Sequence, residues 1–116
     1  MAGKETSLVT QEMLEERIPE IKKKHKVKTV FLISVEDPDT PGNFLGAYLK
    51  TPSRAQMSFV LSLFGKEKVV QGTEAILENC WLEGDERIMT EDELFFATME
   101  HTDEFLGSTK AKLIKK

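Results

Sequence analysis

Cys80, the two histidines His25 and His101, and several close-set carboxylates are the residues of this 116-residue chain whose types could do chemistry. A cysteine nucleophile needs a base to take its proton and donors to hold an oxyanion. Neither histidine stands in a recognisable nucleophile context, and Cys80 falls on an apolar stripe, one helical turn after Ile76 and Leu77. It is read as a core thiol. Asp37-x-Asp39-x-x-Gly42 opens with the spacing of a calcium loop, but Pro41 occupies the fifth position and Tyr48 the twelfth, where that loop needs oxygen ligands. The run Asp37–Asn43 is instead dense in turn formers, and Pro41-Gly42 suits a type II turn. Glu83, Asp85, Glu86, Glu91, Asp92 and Glu93 supply enough carboxylate for a Mg²⁺ ion. Glu93, however, sits three residues after Thr90 in a capping box, and acids near a helix N-terminus favour its dipole. The glycines are isolated, so no phosphate-binding loop is present. The expectation is a protein without catalytic, metal-binding or cofactor-binding residues, and not an enzyme.

Composition narrows the class. Apolar residues make up 40% and charged residues 31%, ordinary for a soluble globular protein. The length suits a single domain over 1–116, with 1–8 a flexible N-terminus and 108–116 a basic tail. No apolar run is long enough to span a membrane, the first ten residues lack the apolar region of a signal peptide, and one cysteine excludes an internal disulfide. A cytoplasmic location follows. The net charge of −4 hides an asymmetry: Glu74–Glu104 carries eleven acidic residues against one basic, Arg87. Lys22–Lys28 carries five lysines and no acid, and Lys110–Lys116 four more. Such a dipolar layout favours head-to-tail or side-by-side association, so a homo-oligomer is a candidate. The lysine run reads as the positive end of a helix rather than a nucleic-acid site.

The elements that position these residues follow from periodicity. Val9, Met13, Leu14, Arg17, Ile18, Ile21 and His25 form a helical stripe interrupted by Pro19, which opens a short second helix. Val27–Glu36 alternates as a strand, with Phe31, Ile33 and Val35 on one face and Val30 and Leu32 on the other. Asn43–Lys50 returns with Phe44, Gly46 and Tyr48 opposite Leu45, Ala47 and Leu49. Thr51 caps and Pro52 opens a helix in which Met57, Phe59, Val60, Leu61, Leu63 and Phe64 leave almost no polar face, which predicts burial on most sides. Val69, Thr73, Ile76, Leu77, Cys80 and Trp81 predict a second helix with Trp81 in the core, stopped by Gly84. Asp85–Met89 reads as a linker, and a helix capped by Thr90 runs to Leu106, where Gly107 interrupts it. The fold class expected is α+β: an N-terminal helical segment, a long antiparallel β-hairpin, then a three-helix C-terminal part.

Leu49-Lys50-Thr51-Pro52-Ser53-Arg54, Glu78-Asn79-Cys80-Trp81-Leu82, Gly84-Asp85-Glu86 and Asp92-Glu93-Leu94-Phe95 together resemble the small tail assembly chaperone-like proteins of bacterial prophages. The resemblance covers Val27–Leu106. It implies a non-catalytic protein of the host-cell cytoplasm that binds a long, helical tape-measure protein, with no nucleic-acid or membrane partner. It supplies no catalytic residues. One face of the hairpin must pack on the helices, and the other needs cover from the N-terminal helix or a neighbouring subunit. Phe31, Ile33, Phe44 and Tyr48 are therefore the expected partner contacts. The competing expectation is a self-associating structural protein of a prophage, pairing through hairpin edges with no client.

Overall fold

A computed structural model describes residues 8–107. It is an α+β fold built on a three-stranded antiparallel sheet of order β1-β2-β3. Strand β1 (Phe31–Glu36) pairs with β2 (Phe44–Leu49) from Phe31↔Leu49 to Glu36↔Phe44. The Asn43 N–H closes the turn onto the Thr40 carbonyl at 3.0 Å, with Gly42 at φ 89°, as Pro41-Gly42 predicts.

The third strand departs from the sequence reading. Helix α4 (Val69–Cys80) ends one residue early, and Trp81 opens β3 (Trp81–Gly84), paired with Leu49 at the open edge of β2. The Lys50 N–H donates to the Cys80 carbonyl at 2.8 Å, so edge pairing takes over where the helix stops. Trp81 is consequently half-buried, not a core residue. Gly84 ends this strand instead of a helix. A Cβ there would stand 2.5 Å from the Gly46 carbonyl oxygen, whose other role is to accept from the Asp85 N–H at 3.0 Å. With β2 in the middle of the sheet, only β1 and β3 remain as edges.

Both faces of the sheet are covered. On one, Ile33, Val35, Leu45, Ala47 and Leu49 pack with Met57, Val60, Ile76, Leu77, Cys80, Ile88, Leu94 and Phe105. On the other, Tyr48 packs with Leu14 and Ile21 from α1 (Gln11–Glu16) and α2 (Ile18–His25), flanked by Val30, Leu32, Phe44 and Leu82. Pro19 lies in the first turn of α2, as expected, and Lys22, Lys23 and Lys24 occupy its last turn.

Three helix boundaries also shift. Helix α3 (Arg54–Gly65) is capped by Ser53, not Thr51. The Ser53 hydroxyl accepts the Gln56 N–H at 3.1 Å while Gln56 accepts the Ser53 N–H at 2.9 Å, a reciprocal box that Thr51 has no partner to match. The expected linker holds a helical turn, α5 (Arg87–Thr90), which buries Ile88 completely. Thr90 therefore donates back to the Glu86 carbonyl, and α6 (Asp92–Met99) starts from Glu91 without a side-chain cap. Beyond a turn at 100–101, residues 102–107 are helical, through Gly107. Of the expected flexible N-terminus 1–8 only residue 8 is described, and the expected basic tail 108–116 lies outside the described residues.

Candidate functional site

Cys80, Asp37 and Glu83 are each held in a structural role. Cys80 is fully buried, and burial pushes its thiol up to about 11, away from reactive thiolate. Asp37 is also buried, and its two oxygens take the Arg87 guanidinium, Nη1 to Oδ2 at 3.0 Å and Nη2 to Oδ1 at 3.3 Å. That guanidinium, with the Asp39 N–H at 3.0 Å, holds the Asp37 carboxyl below its ordinary value. Arg87 turns its remaining donors to Glu91, Nε to Oε2 at 2.9 Å, so the single base of the acidic stretch ties the β1–β2 turn to α5. Asp85 accepts the Arg87 N–H at 3.0 Å.

Glu83 points the other way, beneath the N-terminal helices. It accepts Arg17 Nη2 at 2.9 Å, Lys24 Nζ at 3.1 Å and His25 Nε2 at 2.8 Å. The hydrogen bonds from these side chains, His25 first, then Lys24, draw the carboxyl down to about 2. Arg17 also lies 5.6 Å over the Tyr48 ring, and the Tyr48 hydroxyl donates to the Leu14 carbonyl at 2.7 Å. Glu83 and Glu91 of the acidic cluster thus belong to two separate ties, while Glu86, Asp92 and Glu93 are exposed. Among the described residues, no group of three or more His, Cys, Asp or Glu is placed to hold a metal, and no helix is long and apolar enough to cross a membrane.

The four side chains expected to meet a partner do not share a surface. Phe31 and Ile33 face the larger core, Phe31 packing edge-on against Phe105 at 5.1 Å. Phe44 and Tyr48 face the smaller core under α1 and α2. Ile33 and Tyr48 are buried, and Phe31 and Phe44 half-buried. The N-terminal helices supply the cover that the hairpin lacks by itself.

One apolar surface left open lies on α3, while Phe96 of α6 and Met13 of α1 are exposed elsewhere. Within α3 only Met57 and Val60 are buried, whereas Phe59 is 54% and Leu61 37% exposed. Ala55, Phe59, Ser62 and Lys66 stand in line on the outward side, as positions four, three and four residues apart must on a helix. At the corner, the Lys68 N–H returns to the Leu63 carbonyl at 2.9 Å, and exposed Val69 and Val70 continue the apolar surface into α4. Gly72 lets α4 come close beneath: a Cβ there would lie 2.5 Å from the Phe64 ring. The sequence reading took this apolar helix as buried. The contrary signal lay in Arg54, Ser58, Ser62 and Lys66, a polar strip at four-residue spacing that marks the solvent side. Exposed apolar patches of this kind are common at interaction surfaces. Comparison with protein-family models, with curated proteins and with solved structures finds no match.

Proposed function

We propose that this chain is a non-catalytic binding protein of the phage tail assembly chaperone type, and that it receives a long helical, tape-measure-like client on the exposed face of α3. The observation that carries the reading is the 54% exposure of Phe59 on the outward side of α3. An outward phenylalanine gains free energy when a second apolar stripe covers it. Helix α3 has twelve residues, about 18 Å at 1.5 Å per residue, enough to lie along three turns of a client helix. The acidic residues from Glu74 onward favour solubility of the free protein. The sequence resemblance supports the same class, and it adds the host-cell cytoplasm as the setting.

The test is a tagged pull-down from cells carrying the parent phage or prophage, with Phe59→Ser run alongside and the retained proteins identified by mass spectrometry. A long helical protein held by the wild type and lost from Phe59→Ser is the expected result. Equal retention by both would move the site off α3. Recovery of this chain alone would favour the self-associating structural protein without a client.

A further inference from the structure

A second apolar feature lies on another side of the molecule. Leu77 from α4, Met89 from α5 and Phe95 from α6 line a cavity of about 100 Å³, together with Glu74 and Glu78. Met89 is 39% exposed, so the apolar lining reaches the surface, and both glutamates are solvent-exposed at its side. Glu74 follows Gly72 by two residues, about 200° around the helix. Since Gly72 faces Phe64 of α3, the cleft opens away from α3 and the two features do not compete within one copy.

Their charges are opposite. Helix α3 contains no acidic residue and places Arg54 at its start; Lys66 and Lys68 follow it, with the single acid Glu67 between them. Helix α4 contains no basic residue, and Glu86, Asp92 and Glu93 add exposed carboxylates on α5 and α6 or beside them. An apolar projection rimmed by cations thus exists on the same chain as an apolar cleft rimmed by anions.

We propose that the α3 face of one copy docks against the α4–α6 cleft of a second copy, with Phe59 meeting the exposed Met89 at its mouth, above the buried Leu77 and Phe95, and with the cations of α3 facing Glu74 and Glu78. The two surfaces differ, so the contact is heterologous. Each added copy leaves one projection and one cleft free, and assembly proceeds head to tail into a ring or an open chain. Apolar burial holds the contact, while the rim charges set its orientation and make it sensitive to salt. The contact does not rest on the client reading. If both hold, self-assembly covers the α3 face until a client displaces the neighbouring copy.

Sedimentation velocity on the purified full chain tests this without any client. For the wild type at low ionic strength, the expected result is a mass that rises with concentration past the dimer and falls back in 0.5 M salt, an amount of salt chosen to shorten screening to roughly 4 Å. Phe59→Ser and Glu78→Lys change exposed residues, and unchanged circular dichroism and thermal midpoints verify that both fold. Each alone should associate at least about tenfold more weakly than the wild type. Mixed in equal amounts they should form a dimer and nothing larger, because Glu78→Lys keeps an intact α3 face and Phe59→Ser an intact cleft. A wild type that stays monomeric or stops at a dimer, a variant that assembles like the wild type, or a mixture that gives no dimer would each overturn the proposal.

Discussion

Helices α3 and α4 are each twelve residues long, lie side by side, and treat their apolar side chains in opposite ways. Helix α4 buries Gly72, Thr73, Ala75, Ile76, Leu77 and Cys80, and leaves Glu74 and Glu78 outside. Helix α3 buries Met57 and Val60, and leaves Phe59 and Leu61 outside. Apolar content therefore does not decide burial; the number of neighbouring elements does. Helix α4 has the sheet, α3 and α6 around it, whereas α3 leans on the rest of the fold along one stripe. Its surplus apolar surface is of no use to the isolated chain, and that surplus is what points to binding. The N-terminal pair α1 and α2 is the intermediate case, with a small apolar contact around Ile21 and Tyr48 reinforced by the ions around Glu83.

The largest expected effect lies in α4. Ile76→Ala should cost about 2–5 kcal/mol, as large-to-small core changes do, from a total of about 5–15 kcal/mol. Leu61→Ala, at 37% exposure on α3, should cost less than about 1 kcal/mol. Urea midpoints for the two variants measure the contrast directly, and equal losses would break it.

The ionic tie of the N-terminal helices comes next. Glu83→Gln should cost about 1–2 kcal/mol at pH 7, since it replaces charge-assisted hydrogen bonds and leaves Arg17 and Lys24 without a counter-ion. The Glu83 carboxyl is depressed from an ordinary 4.5 to about 2, so the ionised form is the one the fold favours. Its stabilisation is complete above pH 4.5 and is lost as pH falls from there through about 2. The stability gap between wild type and Glu83→Gln should therefore narrow across that window and close below it. A gap independent of pH would show that Glu83 acts through packing.

Much of this arrangement was legible in the sequence, and the failures share one cause. The hairpin register, the restart at Pro19 and the buried Cys80 all follow from local periodicity and turn chemistry. Trp81 was placed in the core because it continues the spacing of Ile76, Leu77 and Cys80. Strand β3 arises instead from the unpaired edge of β2, a requirement set by residues more than thirty positions away. Tyr48 and Ile33 were assigned to a partner because a hairpin alone leaves both faces bare. The fold brings α1 and α2 over one of them, held by Glu83, which no spacing rule connects to Arg17 or His25. The exposed face of α3 was missed for the same reason, since apolar residues on every side reveal an appetite for burial and not whether the chain satisfies it.

A smaller effect of opposite sign is expected back in α4. The Thr73 side chain is wholly buried, and its hydroxyl oxygen has no hydrogen-bond partner among the described residues. Burying an unpaired hydroxyl is costly, and Val offers nearly the same shape without that penalty. Thr73→Val should raise stability by about 1 kcal/mol, seen as a higher urea midpoint with an unchanged slope. A lower midpoint would mean that the hydroxyl is satisfied in solution.

The smallest effect on stability should belong to the residue on which the proposed binding rests. Phe59 is 54% exposed, so its removal opens no cavity and unpairs no polar group. Phe59→Ser should shift stability by no more than about 0.5 kcal/mol in either direction. A phenylalanine kept on the outside for a partner should also carry a cost when the partner is absent, because exposed apolar surface promotes nonspecific association. The variant should therefore match the wild type in its urea midpoint yet stay clear longer on heating, while losing both client capture and head-to-tail assembly. The urea midpoint and light scattering during a thermal ramp separate the alternatives. If Phe59→Ser loses several kcal/mol, Phe59 is part of the core in solution, α3 is packed like α4, and the contrast between the two helices disappears.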